Sequence, residues 1–232
     1  MQIGLIGGIG PAAQDYYTRA LIAVFAQAGA ALDMTTVYTD SPTLLGHLAR
    51  GEAVAQADIF ARLTARLALA GAGCVAVTSI AGHFCRAEFA ARSPLPVVDL
   101  ISAVADDVAA RGLDRIGILG TRTVMQSRFY GGLAGVTVVA PAELDAVHDA
   151  YVAMAASGTI SAEQRALFTT AAEWMLNEHE AQAILLGGTD LALAFDEATC
   201  PFALVDCAGI HARAIARYAV EHDAIRKNRI TL

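Results

Sequence analysis

Short apolar runs alternate along the chain with longer, alanine-rich, helix-compatible stretches. The runs are IGLI, TTVY, VAVT, LPVV, IGIL, VTVV, AILL and FALV, and most are followed closely by glycine or a polar residue. Such runs, closed by a turn signal, predict strands buried on both faces, as in parallel sheets. The stretches between them predict crossover helices, which right-handed connections place outside the sheet. The pattern predicts an α/β protein assembled from βαβ units.

A weak internal repeat divides the chain. LIGGIGP near the start corresponds to ILGTRTVM from Ile118, and VAVTSIAGH to ILLGGTDL from Ile184, at offsets of about 113 and about 109 residues. Two pseudo-symmetric lobes are expected, each a parallel sheet flanked by helices. Residues 1–97 with 206–232 form the first, and residues 98–205 the second. Open α/β sheets bind ligands beyond the carboxyl ends of their strands, so the expected site is an interlobe cleft.

Composition narrows the function classes. With 232 residues and 56% hydrophobic content the chain can bury a substantial core. A net charge of −7 with scattered lysines and arginines argues against a nucleic-acid partner or an anionic membrane surface. The opening MQIGLIGGIGP has no basic segment and is broken by glycines and Pro11, and the apolar run from Ala20 to Leu32 is too short to span a bilayer. A cytoplasmic protein without membrane association is expected. Cysteines at 74, 85, 200 and 207 have no metal-ligand spacing, so reduced thiols and no metal are expected.

Two glycine and serine turns carry candidate chemistry. GGIGPAA, from Gly7 to Ala13, contains G-x-G-x-x-A after a strand, but an acidic residue at the end of the second strand is not where a dinucleotide site needs it. A tight turn with Pro11 at the first helical position explains the same letters. The amides of Gly8 to Gly10 remain suited to a carboxylate, as helix N-termini attract anions. In CVAVTSIAGHFC, Ser79 ends a strand and precedes His83; it suits a nucleophile, a proton carrier, an anion-binding hydroxyl or a helix cap.

Five segments, in order, resemble the aspartate/glutamate racemase family. GGIGPAA is similar to G-G-M-G-P-x-A, GAGCVAVTSIAGH to G-A-D-x-x-x-x-P-C-N-T-A-H, ILGTRTVMQSRFY to G-T-x-x-T-M-x-x-x-F-Y, ILLGGTDL to I-L-G-C-T-E-L, and LVDCAGIHARAIARYA to D-S-x-x-I-H-A-x-A. The resemblance covers nearly the whole chain. It implies two α/β lobes around a cleft, no cofactor, a homodimer, and a pair of cysteines flanking the substrate Cα, one removing the proton and the other returning one. Ser79 and Gly188 stand at the two cysteine positions. A thiol titrating near about 8.5 supplies some thiolate at neutral pH; a serine hydroxyl does not, and glycine has no side chain. Gln14 stands at a Thr or Ser of the family pattern, and Met154 near a Glu.

The remaining candidates follow from the same segments. His83 matches the family histidine and suits either acid-base work or a structural role. Thr189 and Asp190 suit helix capping, or a site in which Thr189 meets a carboxylate and Asp190 an ammonium or a histidine. Thr121, ahead of Arg122, opens the equivalent helix in the other half. Gly8, Gly10, Gln14, Ala81, Thr121 and Gly188 are the expected ligand-binding positions, Ala81 through the amides that follow Ser79. Cys85 and Cys207 read as packed small residues, and His211 as structural.

Two classes of function follow. In one, the protein is a cofactor-independent enzyme on a small amino or dicarboxylic acid, with the two-thiol mechanism lost and His83 or Asp190 as a single acid or base, as lyase, decarboxylase or isomerase chemistry requires. In the other it is a non-catalytic carboxylate-binding protein.

Overall fold

The computed structural model describes residues 1–230 and, within them, every side chain except those of Pro11 and residues 224–230. The chain forms two compact units. Among the described residues, the first comprises residues 1–9, 14–100 and 211–230, and the second residues 10–13 and 101–210.

The first unit holds a three-stranded parallel sheet. Strand β1 (Ile3–Gly7) lies between β2 (Met34–Tyr38) and β3 (Cys74–Val77), with Ile3 opposite Met34 on one side and Cys74 on the other. All five residues of β1 are buried, as its unbroken apolar run requires. Helix α1 (Pro11–Gln27) connects β1 to β2, and α2 (Ser41–Arg50) and α3 (Ala53–Leu69) connect β2 to β3. Asp40 caps α2 by accepting from the Thr43 amide at 2.9 Å. Phe60, Leu63, Thr64 and Leu67 of α3 recur at i, i+3, i+4 and i+7 and are all buried. Phe60 meets Phe89 of α4 (Arg86–Arg92) edge to face at 5.3 Å, inside a cluster that includes Ile6, Leu44, Val75 and Val77.

The second unit repeats the plan. Strand β4 (Arg115–Gly120) lies between β5 (Thr137–Val139) and β6 (Ile184–Gly187), and β7 (Leu204–Val205) extends the sheet beyond β6, all parallel. The order β5-β4-β6 repeats β2-β1-β3, in keeping with the segments matched in sequence. Helix α5 (Leu100–Ala110) precedes β4, α6 (Arg122–Gln126) follows it, and α7 (Leu144–Ser157) and α8 (Ala162–Asn177) lie between β5 and β6. Ser161 and Gln164 form a reciprocal capping box at the start of α8. Val147, Tyr151 and Met154 are the buried face of α7, so Met154 is a core residue. The last helix, α9 (Cys207–Ile230), contributes residues to both units.

The strand expected at LPVV is reduced to a single parallel bridge between Val97 and Val75. Val75 donates to Pro96 O and Val98 to Val75 O, each at 2.9 Å, while Pro94 and Pro96 have no amide hydrogen with which to extend the ladder.

Candidate functional site

In each unit the polar residues singled out in sequence lie at the carboxyl ends of strands. In the first unit they follow β1 and β3. Gly8 has φ 92°, and a Cβ there would lie 2.8 Å from the Tyr38 ring and 2.9 Å from Thr39 O, so the turn after β1 needs glycine. Gln14 folds back over the strand end, with its Oε1 where a Gly7 side chain would sit and 3.4 Å from the Thr78 hydroxyl. Ser79 is buried beside Thr78, and Ala81 opens a 3₁₀ turn running to Cys85.

His83, within that turn, is committed at both ring nitrogens. The Ser79 carbonyl can only accept, so Nδ1, 2.7 Å away, carries the proton, and Nε2 accepts from the Leu100 amide at 3.4 Å. His83 thereby satisfies the first amide of α5, one of the donors that a helix start leaves unpaired. His211 is arranged likewise: Nε2 donates to Val98 O at 2.9 Å, and Nδ1 accepts from the Tyr17 hydroxyl at 2.8 Å. The two rings meet at 6.0 Å.

Burial pushes both histidines down, His211 to about 3, with His83 adding to the effect. A histidine depressed in the folded state binds its proton more weakly than in the unfolded chain, whose histidines titrate near about 6.5. The stability it contributes is complete above that value and is lost as pH falls from there toward about 3. Urea midpoints are accordingly expected to fall steeply between pH 6.5 and pH 4, and His211→Gln is expected to flatten that dependence while lowering stability at neutral pH.

In the second unit the polar groups follow β4 and β6. Thr121 caps α6, its hydroxyl accepting from the Val124 amide at 3.4 Å. Arg122 forms an exposed ion pair with Asp145 at 2.8 Å. Gly188 has an extended backbone, φ −155° and ψ 127°, that any residue adopts. Its lack of a side chain has another cause: a Cβ there would lie 2.2 to 2.5 Å from Cε2, Cζ and the hydroxyl of Tyr151. The Tyr151 hydroxyl donates to Asp190 Oδ2 at 3.1 Å. Asp190 and Thr189 begin a 3₁₀ turn without any side-chain cap, so capping does not account for them.

Asp190 is 4% exposed, and its Oδ1 has no hydrogen-bond partner among the described residues. Its two oxygens lie 3.2 and 3.3 Å from where a Gly10 Cβ would stand, and the Ala13 amide faces it. The first turn of α1, expected from sequence to receive a ligand's carboxylate, thus already has the chain's own carboxylate beside it. Burial raises Asp190 above the usual carboxylate value, and burial with the adjacent Asp190 holds the Tyr151 phenol well above its own. Arg165 donates to the carbonyls of Leu193, at 2.9 Å, and Ala194, fixing the end of the turn that carries Asp190.

The thiols are elsewhere. Cys74, Cys85 and Cys207 are buried, and burial pushes Cys74 up to about 11, Cys85 to about 12, and Cys207 well above its usual value, so all three are protonated at neutral pH. Tyr151 is the residue that sequence reasoning missed. Among the described residues no group of three or more His, Cys, Asp or Glu is arranged to hold a metal ion, and no helix is long and apolar enough to cross a membrane.

Two parallel-sheet α/β units with small and polar residues at their strand ends define a class of fold that known proteins share. The Asp/Glu/hydantoin racemase family model matches residues 6–215. The chain belongs to the Asp/Glu/hydantoin racemase family. Among solved structures, a candidate Asp/Glu racemase from Yersinia pestis is similar over 94% of this chain and 99% of that one, at 26% identity and a TM-score of 0.79. An aspartate racemase homologue from Pyrococcus horikoshii covers the same shares at 23% identity and a TM-score of 0.80. Glutamate racemase from Francisella tularensis, in complex with D-glutamate, matches over 96% of this chain and 82% of that one, at 14% identity and a TM-score of 0.67. No curated protein sequence matches the chain.

Proposed function

We propose that the protein is a cofactor-independent enzyme that moves a proton beside the carboxylate of a small amino or dicarboxylic acid, and that it does so without the paired thiols of racemisation. Family membership supports a small amino-acid ligand. One observation carries the mechanistic half of the reading: the space a side chain at residue 188 would need is filled by Tyr151. Ser79, the counterpart in the resemblance, offers a hydroxyl in place of a thiol, and the three buried cysteines are protonated. His83 holds the Ser79 carbonyl and the start of α5, which favours a positioning role over proton transfer.

Chemistry with one acid or base suffices for a lyase, a decarboxylase or an isomerase, and for exchange of an α-proton with solvent. A buried carboxylate with one unpartnered oxygen favours this reading over a purely binding role, because such groups are costly unless used. We place the protein in the cytoplasm as a homodimer, on family resemblance.

The test is proton NMR of amino and dicarboxylic acids incubated with the protein in heavy water. The expected result is loss of an α-proton signal, or loss of carbon dioxide from a malonate, without formation of the opposite enantiomer. Ligand line broadening with no exchange on any compound would establish a binding protein instead.

A further inference from the structure

Deepening the proton-transfer reading just given, and resting on it, we propose that Tyr151 and Asp190 form a proton relay at the carboxyl end of β6, the Tyr151 hydroxyl exchanging a proton with substrate carbon and Asp190 taking it up from behind. The Asp190 carboxylate meets the Ala13 amide at the first turn of α1, but that contact leaves its Oδ1 without a partner among the described residues. The phenol head of Tyr151 stands where a side chain on Gly188 would begin, its hydroxyl 2.5 Å from that Cβ position, and so presents a proton-carrying oxygen at the strand end in place of one from residue 188. That hydroxyl is 3.1 Å from Asp190 Oδ2. Asp190 is buried, its Oδ1 has no partner among the described residues, and its turn is held by Arg165. An uncapped, incompletely satisfied carboxylate behind a phenol is costly as structure alone.

As the substrate C–H bond breaks, its proton bonds to the Tyr151 oxygen. The original Tyr151 O–H bond breaks, and that proton bonds to Asp190 Oδ2. The electron pair left on carbon passes into the substrate's carboxylate group. Reversal, after the protons on both Tyr151 and Asp190 have exchanged with solvent, returns a deuteron to the same face in heavy water. The phenol is never left as phenolate, in keeping with a hydroxyl held well above its ordinary value, and the hydrogen bond as it stands, phenol donating to carboxylate, is the state ready to accept.

The test is the α-proton exchange rate of wild type, Tyr151→Phe, Asp190→Asn and the double variant across pH. Tyr151→Phe removes one oxygen and keeps the ring against Gly188, so it is the informative change; folding is checked by denaturant midpoint. Each single substitution is expected to slow exchange ~10² to 10⁴-fold, and the double variant no further, because the two groups act as a unit. Asp190 must be ionised to accept, so wild-type exchange falls as pH drops through its raised value, and the residual exchange of Asp190→Asn lacks that limb. The groups that face the pair are the Ala13 amide, against Asp190, and Tyr130, against Tyr151; the substitutions alter neither. A folded Tyr151→Phe protein exchanging at the wild-type rate would overturn the relay and leave the proposed function standing. Neither exchange nor decarboxylation by wild type on any compound would overturn both.

Discussion

Gly188→Cys, made alone, is expected to lower the unfolding free energy by about 3 kcal/mol, at or beyond the upper end of the usual cost of overpacking a core. Backbone conformation is not the reason, since φ at this residue is −155°. A Cβ 2.2 Å from Tyr151 Cε2 forces either the ring or β6 to move. If the ring moves, Asp190 loses the hydroxyl that now donates to it, and a buried carboxylate is left with less satisfaction than before. Tyr151→Ala opens a cavity of its own and is destabilising when made alone. Combined, the two changes are expected to cost clearly less than their sum, because each relieves the defect of the other. Denaturant melts of the wild type, both single variants and the double variant measure the coupling. Additive costs would show that Tyr151 does not occupy the side-chain space of residue 188.

On the proposed absence of paired thiols, supplying them at residues 79 and 188 needs three substitutions. Ser79→Cys with Tyr151→Ala and Gly188→Cys is expected to racemise aspartate or glutamate ~10² to 10⁴ times faster than Ser79→Cys alone, the usual worth of an acid-base group. Ser79→Cys with Gly188→Cys, Tyr151 being retained, is expected to gain little, because the new side chain at 188 meets the phenol. Chiral chromatography of the amino acid over time, with the fold of each variant checked beforehand, reads the outcome. Equal activity with and without Tyr151 would show that the phenol does not block a side chain at residue 188.

The architecture was legible where a local pattern maps directly onto a strand. IGLI, IGIL and AILL became buried central strands because a parallel sheet covered on both faces requires unbroken apolar runs. LPVV carries the same apolar letters, but Pro96 within it and Pro94 before it act through missing donors, which an apolar count does not register. Ser79, Thr121, Gly188 and Thr189 were legible as strand-end residues from the apolar runs before them, the internal repeat and the family resemblance. What surrounds them was not. In sequence Gly188 reads as a glycine at a cysteine position, whereas its reason is Tyr151, distant in sequence and on another element. Tyr151 itself lies at i+4 from Val147 and three residues before Met154, a spacing that marks a buried helix face. That periodicity says the ring is covered without saying that its hydroxyl ends on Asp190. In the same way His83 was legible as a residue near the strand end, while its commitment to the Ser79 carbonyl and the Leu100 amide depends on α5 starting where it does.

The most direct test is to incubate L-aspartate and L-glutamate in heavy water with untreated protein and with protein treated with iodoacetamide, following deuterium at Cα by NMR and configuration by chiral chromatography. Cys200 is half-buried, Cys74, Cys85 and Cys207 are buried, and none of the four belongs to the proposed relay. Deuterium entering Cα with configuration retained, at the same rate before and after alkylation, is the predicted result. Accumulation of the D enantiomer by the untreated protein, abolished by alkylation, would contradict it.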